Sequence, residues 1–246
     1  MSVKFEVGVH SDIGKRRKQN EDCFKISAGK RLFIVADGMG GHAKGEIASS
    51  LATATFTALF KKNRSSTLIG AIHAAHQKIK ERQRQDVSCA GMGTTLTALH
   101  IDRKGGTHIG HVGDSRLYRL RQGKLQRLTE DHNYQERYVL DGSMTKAEAK
   151  AQGLDSALTQ VIGINKIKPQ HLQEQSQHND VYLLCSDGLN GQVEDTDIRT
   201  VLAKVAEGKA HAQKAAEKLV QKANDAGGKD NITALIVRVL HNSVKA

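Results

Sequence analysis

The sequence predicts an α+β fold in which helices cover antiparallel β-sheets. Three observations carry that expectation. Short alternating apolar and polar segments open the chain, two Ala-rich helical stretches follow, and a second run of strands ends in two more helices and an apolar strand. At 246 residues the chain suffices for one sizeable core but is short for two. With no Ser/Gly linker, low-complexity tract or repeat, residues 1–246 read as a single domain.

Val3–His10 alternates apolar and polar residues, Cys23–Ser27 reads as a second strand, and Leu32–Ala36 as a short, fully apolar third. The glycine-rich stretch Asp37–His42 is expected to break that strand into a loop. Helical spacing predicts helices over Gly45–Lys62 and Ser66–Arg84. Strands are expected at Thr94–Ile101, Thr107–Val112 and Arg116–Arg121. Residues 131–165 read as irregular with one short helix, whose start, Thr145-x-x-Glu148, has a capping-box pattern. Strands at Lys168–Glu174 and Val181–Cys185, helices at Asp195–Ala206 and Ala210–Asn224, and a strand at Ile232–Leu240 complete the chain.

Hydrophobic residues make up 38% and charged residues 26% of the chain, the balance of a globular protein. No apolar run approaches bilayer length and the N-terminus lacks a signal-peptide core, so a cytoplasmic location is expected. Cys23, Cys89 and Cys185 are odd in number and widely spaced, which points to neither a disulfide framework nor a zinc site. The net charge of +11 is spread along the chain, with one dense run at Lys15–Lys18, and aromatic residues are only 4%. Base-stacking platforms would be scarce, so the charge favours an anionic substrate or partner over a nucleic-acid reader.

The acids carry the chemistry. Apolar strands deliver Asp37, Asp114 and Asp187 into loops, and Asp230 directly precedes the apolar run from Ile232. A single Asp-Gly is ordinarily a turn or cap. Four acids in the same context weaken that reading, and acids that did converge would repel one another unless a cation neutralised them. Oxygen ligands suit hard ions such as magnesium or manganese. Asn20-Glu21-Asp22 follows the basic run and by itself reads as a solvated loop. Beside a metal cluster, Arg17 can grip phosphate bidentately and Glu21 can complete the coordination.

Together, Ser11–Asp22 (SDIGKRRKQNED), Phe33–His42 (FIVADGMGGH), Gly91–Leu96 (GMGTTL), His111–Arg116 (HVGDSR), Leu128–His132 (LTEDH), Leu183–Leu189 (LLCSDGL) and Lys229–Thr233 (KDNIT) resemble the metal-dependent protein phosphatase family, the type 2C serine/threonine phosphatases, in its bacterial form. The resemblance spans nearly the whole chain in family order. It implies a four-layer α-β-β-α sandwich, two mainly antiparallel sheets flanked by helix pairs, with a two-metal site at one end and a variable flap at about 133–165. By the same resemblance Asp37 bridges two divalent cations (manganese or magnesium), Asp187 and Asp230 hold one, and Glu21 with the carbonyl of Gly38 holds the other. Asp22 supports the site by hydrogen bonds to metal-bound water, Asp114 with Asp187 can hold a third, looser metal, and Arg17 binds the phosphate.

Two cations sharing Asp37 would lie ~3.5–4 Å apart and activate a water for in-line attack on phosphorus. His42 is the candidate general acid, its competing reading being a solvent-facing loop histidine. Gln160 departs from the family, where arginine is frequent.

The implied activity is hydrolysis of phosphoserine and phosphothreonine in proteins, the targets of a serine/threonine kinase, by a chain that acts as a monomer without membrane or nucleic acid. Alternatives are a catalytically weak phosphoprotein-binding regulator of the same fold, a basic nucleic-acid-binding protein, and a metal-dependent phosphodiesterase. The first normally loses ligand residues, whereas Asp37, Asp187 and Asp230 are all present. The second leaves the ordered acidic motifs without a reason, and the third does not match the motif set.

Overall fold

Period-two alternation builds two β-sheets and gives each a buried face on both sides. The computed structural model describes residues 3–27, 29, 31–40, 44–60, 66–164 and 166–241. The first sheet has the order β1 (Val3–Asp12), β11 (Ile232–His241), β10 (Val181–Cys185), β7 (Arg116–Arg121), β8 (Lys124–Arg127). The second runs β2 (Asp22–Ser27), β3 (Leu32–Met39), β5 (Leu96–Ile101), β6 (Gly106–Val112), β9 (Gln170–Gln175), with the two-residue β4 (Gly93–Thr94) paired to the end of β3. All pairings are antiparallel.

Alternate residues of one strand enter different cores. Phe33 and Val35 of β3 meet Tyr182 and Leu184 of β10 and Leu235 and Val237 of β11 between the sheets. Leu32 and Ile34 point the other way, against Ala52 and Phe56 of α1 (Lys44–Leu59) and Ile72 of α2 (Ser66–Gln85). Leu183 and Cys185 pack on Leu202 of α6 (Asp195–Ala206) and Leu219 of α7 (Ala212–Asp225). This is the four-layer α-β-β-α arrangement. It explains why β3 and β10 read as unbroken apolar runs, since neither face meets water. Truncating a side chain such as Leu184 in the central layer would cost about 2–5 kcal/mol.

The irregular reading of 131–165 is incomplete. Two short helices lie there, α3 (Tyr134–Leu140) and α4 (Lys146–Ala151). The capping box is present, with Glu148 N–H donating to Thr145 Oγ1 at 3.3 Å and Thr145 N–H donating to Glu148 Oε2 at 2.8 Å. Asn133 caps α3 from one side only, its Oδ1 accepting from Glu136 N–H at 2.8 Å. Strand β8 was not expected; it returns from β7 through Gln122 and Gly123, whose φ angles of 49° and 75° are those of a tight hairpin turn.

The loop expected to begin at Asp37 is also displaced. Strand β3 continues to Met39, because Gly38 and Met39 pair with Thr94 and Gly93 of β4. Asp37 therefore sits inside a strand. Among the described residues, no helix is long and apolar enough to cross a membrane.

Candidate metal centre

Every strand that carries a candidate acid brings it to the same end of the sandwich. Asp22, first residue of β2, lies opposite Asp37 of β3 in register. Asp187 follows β10 as the first residue of the short helix α5 (Asp187–Asn190), and Asp230 precedes β11. The chain crosses from the second sheet to the first between β6 and β7, and that crossing holds Asp114. Thus five chain segments contribute carboxylates to one region.

Hydroxyls tie the two sheets together there. Ser186 and Thr233, both from the first sheet's end, donate to Asp22 Oδ2 at 2.7 Å each. Because Thr233 spends its proton on Asp22, it accepts from Ser11 at 2.8 Å, and Ser11 in turn accepts from Asn20 Nδ2 at 3.0 Å. Asp37 is fixed through its backbone. Its N–H donates to Thr95 Oγ1 at 2.9 Å, and its carbonyl accepts from Thr94 Oγ1 and Thr95 N–H, both at 2.9 Å. That use of Thr95 divides the single strand expected over Thr94–Ile101 into β4 and β5.

Glu21 is held on three sides. Its N–H donates to Asn231 Oδ1 at 2.8 Å, its carbonyl accepts from Gly38 N–H at 3.2 Å and Ser49 Oγ at 2.7 Å, and its Oε1 accepts from Gly45 N–H at 3.2 Å. This approach requires glycine twice. A Cβ on Gly38 would stand 2.1 Å from the Gly45 carbonyl oxygen, and one on Gly45 would stand 2.7 Å from the Glu21 carboxyl. Any side chain at either position would push α1 away from the site.

The electrostatics are those of crowded acids. Burial, then the charges of Asp22, Asp187, Asp114 and Asp230, pushes the Asp37 carboxyl well above the usual carboxylate range. Burial and the Asp230 charge likewise raise Asp187, although a hydrogen bond with Asp37 opposes the rise. Asp114, only 8% exposed, is raised by burial and by Asp187 and Asp131. Burial also raises Asp22, against the two hydroxyls that donate to it. One oxygen each of Asp22 and Asp187, Oδ1 in both, is buried without a hydrogen-bond partner.

Arg17 enters from the basic run, its Nη2 donating to Asp230 Oδ2 at 2.7 Å, with half of its side chain exposed. The charges of Glu21 and Asp37 also act on it. Among the described residues, no three His, Cys, Asp or Glu side chains close into a ready-made metal cage. Two of the acids meet other partners, Asp230 the guanidinium of Arg17 and Glu21 the N–H of Gly45. Orphaned buried oxygens, mutual repulsion and an all-oxygen donor set fit hard divalent cations. His42 lies outside the described residues. Gln160, the position departing from the family pattern, accepts from Lys168 N–H through Oε1 at 2.6 Å.

Sequence reasoning missed residues that organise the site. Asn231, 4% exposed, uses its whole amide: Nδ2 donates to the carbonyls of Ile13 at 3.0 Å and Gln19 at 2.9 Å, while Oδ1 serves Glu21. Arg116 grips Asp131 bidentately, Nε to Oδ1 at 2.9 Å and Nη2 to Oδ2 at 2.6 Å, two positions beyond Asp114. Arg127 joins Asp131 at 3.3 Å and also pairs with Glu136 of α3. Beneath the crossing, His111 donates from Nε2 to the Glu130 carbonyl, leaving Nδ1 to accept from Thr97, and burial pushes it down to about 3. A cavity of about 300 Å³ opens beside the acids, with Asp114, Asp187, Lys150, Asp155, Asn190 and Glu194 among its lining.

The family model described as protein phosphatase 2C matches residues 14–223. The serine/threonine protein phosphatase PstP of Mycobacterium tuberculosis is 35% identical over 248 residues, covering 98% of this chain and 46% of that protein. The chain therefore spans about half the length of this mycobacterial relative. The serine/threonine phosphatase stp of Listeria welshimeri is 34% identical over 239 residues, covering 92% of this chain and 93% of that protein. A crystal structure of the catalytic domain of PstP in complex with two manganese ions superposes with a TM-score of 0.87 at 32% identity, covering 98% of this chain and 100% of that one. The chain belongs to the protein phosphatase 2C family.

Proposed function

We propose that the chain is a metal-dependent protein serine/threonine phosphatase. The observation that supports this most is the meeting of Asp22, Asp37, Asp187 and Asp230 at one end of the sandwich, with Arg17 beside them. Kinship with the named serine/threonine phosphatases, one crystallised with two manganese ions, supports it further.

Asp37 would contribute to both divalent cations, manganese or magnesium, Asp187 and Asp230 would hold one, and Glu21 with the Gly38 carbonyl would hold the other. Asp114 with Asp187 would hold a third, more loosely. When bound, the cations supply an activated water nucleophile and offset charge on the phosphoryl group. Asp22, anchored by Ser186 and Thr233, braces the ligands from behind. Arg17 has five N–H donors and commits one to Asp230, so the exposed remainder can orient a phosphate monoester. His42 is the proposed proton donor to the departing serine or threonine oxygen.

The substrates in this reading are phosphoproteins made by a serine/threonine kinase in the same compartment, the cytoplasm. Residues 1–246 act as one catalytic domain and as a monomer, with 133–165 as the flap beside the site. Phosphate release from matched phosphothreonine, phosphoserine and phosphotyrosine peptides, with manganese and with chelator, tests the reaction. Hydrolysis of the first two, abolished by chelator, is expected. Chelator-resistant hydrolysis, or activity confined to phosphotyrosine, contradicts the proposal.

A further inference from the structure

The basic run at residues 15–18 lies at the rim of the acidic site, and only one of its cations is engaged there. Arg17 reaches Asp230, whereas Lys15, Arg16 and Lys18 are exposed and, among the described residues, form no ion pair. The nearby acids are already occupied. Asp230 is met by Arg17, Glu21 by Gly45 N–H, and Asp12 by Gly14 N–H at 2.8 Å and Asn224 Nδ2 at 3.1 Å. The outward side of this loop therefore carries three cations that none of these acids engages, on a chain of net charge +11.

The loop is also held in place. Asn231 fixes it at Ile13 and at Gln19, and Lys15 N–H donates to the Gly228 carbonyl at 2.7 Å. A preordered rim gives up less conformational freedom on binding than a loose basic tail would. Each free cation is one or two residues from Arg17, within about 7 Å along the backbone. Whatever group Arg17 holds, its immediate chain neighbours meet these side chains.

We propose that Lys15, Arg16 and Lys18 form a subsite for acidic side chains flanking the phosphorylated residue of a protein substrate. The proposal rests on the phosphatase reading and adds a substrate class to it. Exposed ion pairs are individually weak, and three acting together are expected to supply about tenfold in affinity. The preference should fade as salt screens it.

The test uses labelled phosphothreonine peptides of one length whose flanking residues are all acidic, all neutral amides, or all lysine. Binding to the full chain is followed by fluorescence anisotropy, and phosphate release is measured in parallel. The acidic peptide is expected to bind about tenfold more tightly than the neutral one. In a Lys15→Gln, Arg16→Gln, Lys18→Gln variant that advantage disappears, while kcat on p-nitrophenyl phosphate stays as in the parent. Equal binding of acidic and neutral peptides, or a preference that survives the triple variant, overturns the proposal. So does single-stranded DNA that displaces the acidic peptide at equal charge concentration, since the rim would then be a general polyanion surface. A peptide preference that behaves as expected, without chelator-sensitive hydrolysis of p-nitrophenyl phosphate, supports the subsite and counts against the phosphatase reading alone.

Discussion

Arg17 and Asp230, separated by 213 positions in sequence, meet with Nη2 2.7 Å from Oδ2. The contact joins the loop before β2 to the start of β11, and so places a guanidinium against a carboxylate of the candidate metal centre. Half of the Arg17 side chain faces solvent, so the pair contributes little to stability. Its value lies in aiming an anion-binding group at the acids.

Arg17→Ala is therefore expected to leave folding intact and to lower kcat/KM for p-nitrophenyl phosphate roughly ten- to a hundredfold, the loss of a charge-assisted hydrogen bond to the ester. Arg17→Lys should recover only part, because an ammonium cannot make the paired contact. Steady-state kinetics check both. Unchanged kcat/KM in the alanine variant would remove Arg17 from the site.

Asn231 acts on that loop. Asn231→Asp keeps the shape, removes both donors to Ile13 and Gln19, and adds a charge beside Asp230. The two carbonyls left unpaired should cost about 1–3 kcal/mol in urea unfolding. In a double-mutant cycle the kinetic effects of Asn231→Asp and Arg17→Ala should be non-additive, because one positions the other. Strict additivity would show that the amide does not act through Arg17.

These two residues mark the boundary of what sequence reading reached. Asp187 and Asp230 were legible only as part of a set, because one acid bordering an apolar strand is ordinarily a turn or cap whereas several in the same context are not. Asp37 was identified for the same reason but placed in a loop; the short β4, which extends β3, is too brief to show a period. Asn231 was invisible, since its three partners are backbone groups some 210 positions away and only the β1–β11 pairing brings them close. Strand β8 and helix α3 carried local signals, a Gln-Gly turn and an Asn-x-x-Glu cap, that composition obscured. The Arg116–Asp131 pair has no such local signal, because it joins the start of β7 to the loop after β8.

That pair carries its own prediction. With 15% of Arg116 and 3% of Asp131 side-chain surface exposed, Asp131→Ala strands a buried guanidinium. A loss of about 3–5 kcal/mol in chemical denaturation is expected. Replacing both by apolar residues of similar volume should recover much of it. A loss below about 1 kcal/mol for the single variant would show that the pair is not desolvated in solution.

Burial of the acids, with their mutual repulsion, predicts a pH dependence. The folded-state pKa of Asp187 is raised above its unfolded value near 3.8, so the folded protein binds more protons than the unfolded chain once pH exceeds that value. In metal-free protein this group therefore costs stability as pH rises, and costs nothing below its unfolded pKa. Asp187→Asn should raise the melting temperature of chelator-treated protein at pH 8 and leave it nearly unchanged near pH 3.5. An equal shift at both values would assign the effect to packing instead.

Every catalytic role proposed above depends on two divalent cations held around Asp37. Isothermal titration of manganese into metal-free protein, wild type against Asp37→Ala, measures that binding, with circular dichroism to confirm that the variant is folded. At least two manganese ions are expected per wild-type chain, with paired binding lost when Asp37 is removed. Two ions bound with unchanged affinity in a folded Asp37→Ala variant would contradict it.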